Sequence, residues 1–379
     1  MRKLGFLSLL AVIAVPTLAP QDAPLHSMLK RITVEELGQV LAAAHDKPDQ
    51  EVAQQLSGLE LTERLSTVRF SHWEIQSPGP KSRQALMTLA DVSAFLDLPA
   101  AEIPAIAAPD LRAQRRMMAL TVDYATKTIH QLPNFSATRV TTSFRDEPEI
   151  YERPKMEWFP FYRPLPVTRQ SPLRSVGQYS TTVLYRKGRE EVHSSAAQSK
   201  SGGPQGFTTS GEFGPILGTA MLDAAQSTLI WSHWEQGAAG PEAVYRYAIP
   251  AEKSHYEVEY GCTRGLAPQI PGPHVPQFSA YQGEITVDPA NGTILRLVLR
   301  AYPKPTDPFV DADIVVEYGP VEIGGKTYIC PVRSVALSLA ENCELPGSSP
   351  ALLQTLLNDV VFQEYHLFRS HTRVLTGNP

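Results

Sequence analysis

From about Pro24 to Gln131 the apolar positions recur at helical spacing. Thr33-Val34-Glu35-Glu36 reads as a capping box, in which the threonine hydroxyl accepts from the Glu36 amide and the glutamate reaches back to the cap. Ile32 and Leu37 flank it as a hydrophobic staple, and Val34, Leu37, Val40 and Leu41 follow on one face. A second helix begins near Asp49 with Val52 and Leu56, and a third spans Ser82 to Leu96 with Ala85, Leu86, Leu89 and Val92 inward. Pro99, Pro104 and Pro109 break the chain. Asp110 then caps a long helix that runs to Gln131 and stops at Pro133.

After Asn134 the period drops to two. Phe135 to Phe144 reads as a strand, and Tyr179 to Arg186 forms a hairpin through Lys187-Gly188 with the segment from Glu190. The hairpin at Gln282 to Arg300 turns at Asp288-Pro289-Ala290-Asn291-Gly292, with Leu295, Leu297 and Leu299 facing one way. Ile314, Val316 and Tyr318 alternate in the next strand. Gly324-Gly325 leads into Lys326 to Leu339, and Val360 to Val374 is the last strand. One helix, Gly211 to Asp223, interrupts the sheet before a strand at Thr228 to Trp234. The expected fold class is α+β: a helical N-terminal domain (24–133), then a curved antiparallel sheet (134–379) with at least one helix packed on it.

Composition sharpens this. The 33 prolines exceed the roughly 19 that average usage of about 5% would give. Six lie in the insertion 148–172, four between Pro268 and Pro276, and three between Pro303 and Pro308, all between expected strands, where a missing amide donor costs no ladder bond. Pro331 falls inside a strand, where the alternation changes phase, and predicts a bulge or an edge. A hydrophobic content of 42% supports a sizeable core. The net charge of −5 argues against a nucleic-acid partner.

Arg2-Lys3, the apolar run Leu4 to Val15 and the small residues after Pro16 have the layout of a secretory signal peptide, placed at 1–23. Twelve residues rise only about 18 Å as a helix, short of a roughly 30 Å hydrocarbon core. The expectation is an exported chain, periplasmic or extracellular and soluble, with no transmembrane span once the signal is removed. In an oxidising compartment Cys330 and Cys343, the nearest pair in sequence, form a disulfide, or Cys262, Cys330 and Cys343 are separate core residues.

The runs Gly211-Glu212-Phe213-Gly214, Trp231-Ser232-His233-Trp234-Glu235, Tyr281 to Pro289 leading to Gly292–Arg296, Val316-Glu317-Tyr318 and Gly324 to Tyr328 with Pro331 carry a resemblance. Over about 134–375 their order resembles the periplasmic lipoprotein carrier and localisation (Lol-type) proteins. The whole chain looks like uncharacterised secreted proteins of soil bacteria that join such a half to a helical one. The resemblance implies an incomplete β-barrel with helices against its concave side, and binding of an apolar or acyl ligand.

Catalytic signatures are scarce. There is no His-Glu-x-x-His, no Gly-x-Ser-x-Gly and no phosphate loop, and neither a metal nor a cofactor is expected. Ser-His-Trp-Glu occurs twice, at Ser71–Glu74 and Ser232–Glu235; on a strand His233 and Glu235 point the same way and share a proton, or both copies serve packing. His255 is placed to approach His233, a geometry that would support a hydrolase. Asp307, Asp311 and Asp313 lack calcium-loop spacing and read as a solvated turn. The aromatic segment Tyr151 to Pro166 either caps the barrel mouth or packs on the core. The leading expectation is a non-enzymatic binder lined by Trp158, Phe161, Tyr162, Trp231, Tyr245, Tyr247, Leu295 and Leu297. The alternative is an interaction module, partnering an envelope protein, whose barrel is filled by its own side chains.

Overall fold

A computed structural model describes residues 29–150, 171–193, 207, 211–258, 278–302, 304, 309–341 and 352–368. The chain enters through β1 (Lys30–Ile32), which pairs in parallel with β2 (Leu59–Leu61). Between them lie α1 (Val34–Ala43) and α2 (Asp49–Ser57). The capping box forms as read: Glu36 N–H donates to Thr33 Oγ1 at 3.1 Å, and Thr33 N–H donates to Glu36 Oε2 at 2.8 Å. Helices α3 (Thr67–Gln76) and α4 (Pro80–Ser93) follow. Asp49, the first residue of α2, caps α4 instead of its own helix, accepting from the Ser82 amide at 2.8 Å and the Lys81 amide at 3.1 Å. Ile32, Val34, Leu37, Val52, Leu56 and Leu86 make the small core of this cluster. Asp110 caps α5 (Leu111–Gln131), accepting from the Ala113 amide at 2.7 Å.

The remaining strands are β3 (Phe135–Arg145), β4 (Glu149–Ile150), β5 (Arg174–Arg186), β6 (Arg189–His193), β7 (Thr228–Gln236), β8 (Pro241–Ile249), β9 (Ala280–Val287), β10 (Ile294–Tyr302), β11 (Phe309–Ile323), β12 (Lys326–Glu341) and β13 (Leu352–Leu367). Helix α6 (Pro215–Ala225) precedes β7. Ten strands pair in the order β6-β5-β3-β13-β12-β11-β10-β9-β8-β7, every neighbour antiparallel, with the short β4 added beside β13. β6 and β7 end the sheet, so it does not close into a barrel.

Both faces of this sheet are covered. One face carries Ile285, Leu297, Leu299, Ile314, Val316 and Ala336 against α5 and α6. The opposite face carries Phe144, Val298, Val315, Val335 and Leu357 against Phe95, beyond the end of α4. A strand buried on both sides need not alternate, which is why Ala312–Val316 is one continuous buried run. The second face also carries arginines. Arg296 donates to the Ala94 carbonyl and Arg300 to the Phe95 carbonyl at 2.9 Å, satisfying carbonyls where α4 ends. Arg333 bridges Asp91 of α4 and Asp359 of β13.

Several sequence expectations need correcting here. The ladder register shifts between Ile294 and Arg296, and this bulge puts Ile294, not Leu295, on the α5–α6 face with Leu297 and Leu299. Asp311 and Asp313 lie on β11, and the buried Asp313 accepts from Arg300 Nε at 3.1 Å, so the spacing marks an ion pair on a strand and not a solvated turn. β13 begins at Leu352, eight residues before the expected start, because Leu353 to Leu357 are all buried and carry no alternation. Asp307 lies outside the described residues. At Pro331 the expected bulge is present: the register shifts where Glu317 pairs Arg333 and Tyr318 pairs Pro331. The β9–β10 turn touches α5 closely. Gly292 has φ +76°, and a Cβ there would lie 2.3 Å from the Leu120 backbone carbon.

Candidate functional site

Of the expected ligand-lining residues, Trp231, Tyr245, Tyr247 and Leu297 do come together on the α5–α6 face. Trp231 and Tyr245 pack edge-to-face with centroids 5.6 Å apart, and Tyr247 meets Tyr281 at 5.8 Å. Tyr245 and Leu297 are core, while Tyr247 also lines the cavity between Ala94–Asp97 and β8–β10. Tyr245, Tyr247 and Leu297 are 3%, 2% and 1% exposed, under Met117 of α5 and Ile216, Leu217 and Ala220 of α6. Tyr245 donates its hydroxyl to the Gln114 carbonyl of α5 at 3.2 Å, and burial pushes that hydroxyl up to about 12. Tyr247 lies across its strand partner Gly283, where a Cβ would stand 2.7 Å from the hydroxyl, and donates to the Val298 carbonyl at 2.6 Å. Leu295 is displaced from this group by the bulge. Trp158, Phe161 and Tyr162 lie outside the described residues, as do the insertion's other aromatics and the 1–23 signal segment.

Open space lies on the other face. A cavity of about 280 Å³ opens between α2, α4 and the strands β3 and β5. Leu56, Leu59, Leu89 and Phe144 give it an apolar floor, while Gln50, Lys81, Gln84 and Thr88 give it a polar rim. Its origin is local: α2 and α4 turn their apolar sides to each other, and Phe144 and Leu173 rise from the sheet to meet them. A second cavity of about 260 Å³ lies where Ala94–Asp97 meets β8–β10. That one is polar, and its cations are engaged: Arg246 holds Glu284 and Asp97, and Arg300 holds Asp313.

The two histidines expected to converge do not. His233 Nε2 lies 3.1 Å from Glu235 Oε1, and Glu235 is in turn held by Arg64 of the helical cluster. His255 instead binds Asp223 of α6, with Nδ1 2.5 Å from Oδ1, and Tyr281 donates to the same carboxylate at 2.7 Å. Each histidine has its own carboxylate, one on each side of the sheet, so no His233–His255 pair exists for a hydrolase. The first Ser-His-Trp-Glu copy sits on α3, where His72 meets Gln76 at 3.0 Å. The same four residues therefore serve two unrelated environments.

Sequence reasoning missed a buried acidic pair. Glu212, 0% exposed, precedes α6; it faces Arg139 of β3 at 3.6 Å and accepts from Ser334 Oγ at 3.2 Å. Burial and the nearby Glu212 charge push Glu190 of β6 up to about 7. Nothing in the local spacing of 190 and 212 signals this approach. Cys330 is a free thiol buried among Phe135, Tyr185 and Phe362, pushed up to about 12 by burial, while Cys262 and Cys343 lie outside the described residues. Among the described residues no three His, Cys, Asp or Glu side chains are placed to hold a metal ion, and no helix is long and apolar enough to cross a membrane.

No protein family, curated protein or solved structure matches the chain.

Proposed function

We propose that the protein is an exported binder of a small apolar or acyl ligand, held between helices and sheet and not inside the sheet. The observation that carries this reading is the 280 Å³ cavity with its apolar floor and polar rim, close to the lower size of known ligand sites. A single chain burying about 300 Å² of apolar surface gains roughly 7 kcal/mol. Association costs at least about 4 kcal/mol, which leaves a Kd in the millimolar range. Such a site exchanges its ligand and does not store it. Export is supported by the basic residues and apolar run at the N-terminus.

The test is titration of the full chain with dodecanoate, read by calorimetry at millimolar ligand, beside Ala85→Trp, whose indole would occupy the cavity. Saturable heat in the native chain, lost at least tenfold in a variant with an unchanged melting temperature, is expected. Equal binding by both chains would refute the site.

A second reading is favoured by the filled α5–α6 face: an interaction module for an envelope protein, in which the sheet is only a scaffold. Absence of any uptake by the native chain would favour it.

A further inference from the structure

The second Ser-His-Trp-Glu copy is more than a histidine beside a glutamate. Side chains of adjacent residues on a regular strand point to opposite faces, so Ser232 and His233 should not meet. The ladder shifts register here: Trp231 pairs Tyr245, and His233 pairs the adjacent Val244. Ser232 is thus the extra residue of a bulge, and its Oγ lies 2.8 Å from His233 Nδ1. The chain continues from His233 Nε2 to Glu235 Oε1 at 3.1 Å, and Arg64 donates to the same oxygen.

Charge fixes the direction of these bonds. Burial alone would raise the Glu235 carboxyl, but the His233 hydrogen bond and the guanidinium groups of Arg64 and Arg296 outweigh it and hold the group at about 2. An ionised carboxylate can only accept. A neutral His233 ring then places its proton on Nε2, toward Glu235, and leaves Nδ1 to accept from Ser232 Oγ–H. A serine hydroxyl bonded to an imidazole whose far N–H is held by a carboxylate is the arrangement that activates a nucleophile. It lies on β7, an edge strand, with 18% of the His233 side chain exposed.

We propose that Ser232 is a nucleophile that accepts the acyl group of an ester, with His233 as its base and Glu235 as the positioning residue. The Oγ lone pair forms the bond to the carbonyl carbon, and the Oγ proton passes to His233 Nδ1. The ester C–O bond breaks, and the alcohol leaves with that proton. Water then repeats the sequence on the acyl-serine, releasing the carboxylic acid and restoring Ser232. This activity goes beyond the binding reading, which contains no covalent step, and the two are tested separately.

The chain carries its own control. Ser71 has the same three following residues but sits on an exposed helical turn, where His72 is engaged by Gln76. The full-length protein is treated with a fluorophosphonate, whose phosphorus loses fluoride to the serine, and the adduct is located by peptide mass spectrometry. Modification of Ser232 and not of Ser71 is expected, abolished in Ser232→Ala. In Glu235→Gln the maximum labelling rate should fall at least tenfold while the half-saturating probe concentration stays unchanged, which a loss of local structure would not give. The melting temperature of each variant is measured alongside. An unmodified Ser232 in the native chain, or equal modification of Ser71 and Ser232, overturns the proposal.

Discussion

Glu190 and Glu212 approach each other before the N-terminus of α6, where Arg139 of β3 faces them, Ser334 of β12 donates to one Glu212 oxygen, and Tyr318 of β11 donates to the Glu212 carbonyl. Burial comes first in pushing Glu190 up, the Glu212 charge second, and Arg139 opposes both. With the folded value near 7 and the ordinary value at 4.5, the folded state binds the proton more tightly than the unfolded chain. The contribution to stability is therefore complete below about pH 4.5 and is lost as pH rises through 7. A shift of this size corresponds to roughly 3 kcal/mol at most. Glu190→Gln should be more stable than the native chain by about 2 kcal/mol at pH 8 and indistinguishable at pH 4.5, since a neutral amide replaces a group that is neutral there anyway. Urea midpoints at the two pH values measure it; an equal difference at both would show that the buried charge is not the cause.

At the scale of elements, Arg333 joins three pieces: it extends from β12 to Asp91 on α4 and to Asp359 on β13. Asp91 is fully buried. Burial pushes the Asp91 carboxyl up to about 8, so Arg333→Ala leaves it neutral but without its partner, and the expected cost is about 1–3 kcal/mol, that of an unsatisfied buried polar group. Hydrogen exchange should quicken first in α4, whose amides depend on that docking. Exchange that quickens uniformly along the chain would refute a local role. None of this docking was legible in the sequence, because a charge on a strand reads as a solvated position until something packs over it. What was legible is whatever local order writes: the capping box at Thr33, the Asp110 cap, the turns at Lys187-Gly188 and Gly324-Gly325, and the bulge at Pro331. Helix α3 escaped notice because it contributes no fully buried residue and so shows no apolar stripe. The start of β13 escaped for the opposite reason, since its residues are buried on both faces. The same limit explains the candidate site. Alternation correctly grouped Tyr245, Tyr247 and Leu297, but no pattern in one strand tells a core position from a cavity wall.

For the molecule as a whole, the sheet has two covers of different kinds. Helices α5 and α6 lie on one face, and α6 leads directly into β7, which it contacts. The other face is met by α2, α4 and the residues just after α4, which reach it ahead of the proline-broken segment between Pro99 and Pro109. That second cover hides Phe144, Val298, Val315, Val335 and Leu357, each no more than 5% exposed. Five side chains at about 2 kcal/mol apiece come to roughly 10 kcal/mol, which is as large as the entire stability of an ordinary domain. The sheet should accordingly depend on the helical cluster. A chain beginning at Asp110 keeps every strand from β3 onward and both helices of the first face, yet exposes that apolar row together with Arg296, Arg300 and Arg333, deprived of their α4 partners. It should aggregate or bind an apolar dye, and show no cooperative melt where the full chain shows a single one. Size-exclusion chromatography and thermal unfolding of the two chains decide the matter. A monodisperse shortened chain with a sharp transition would mean that the sheet stands alone and that the helical cluster is an attachment, in which case the cavity between them would be free to open.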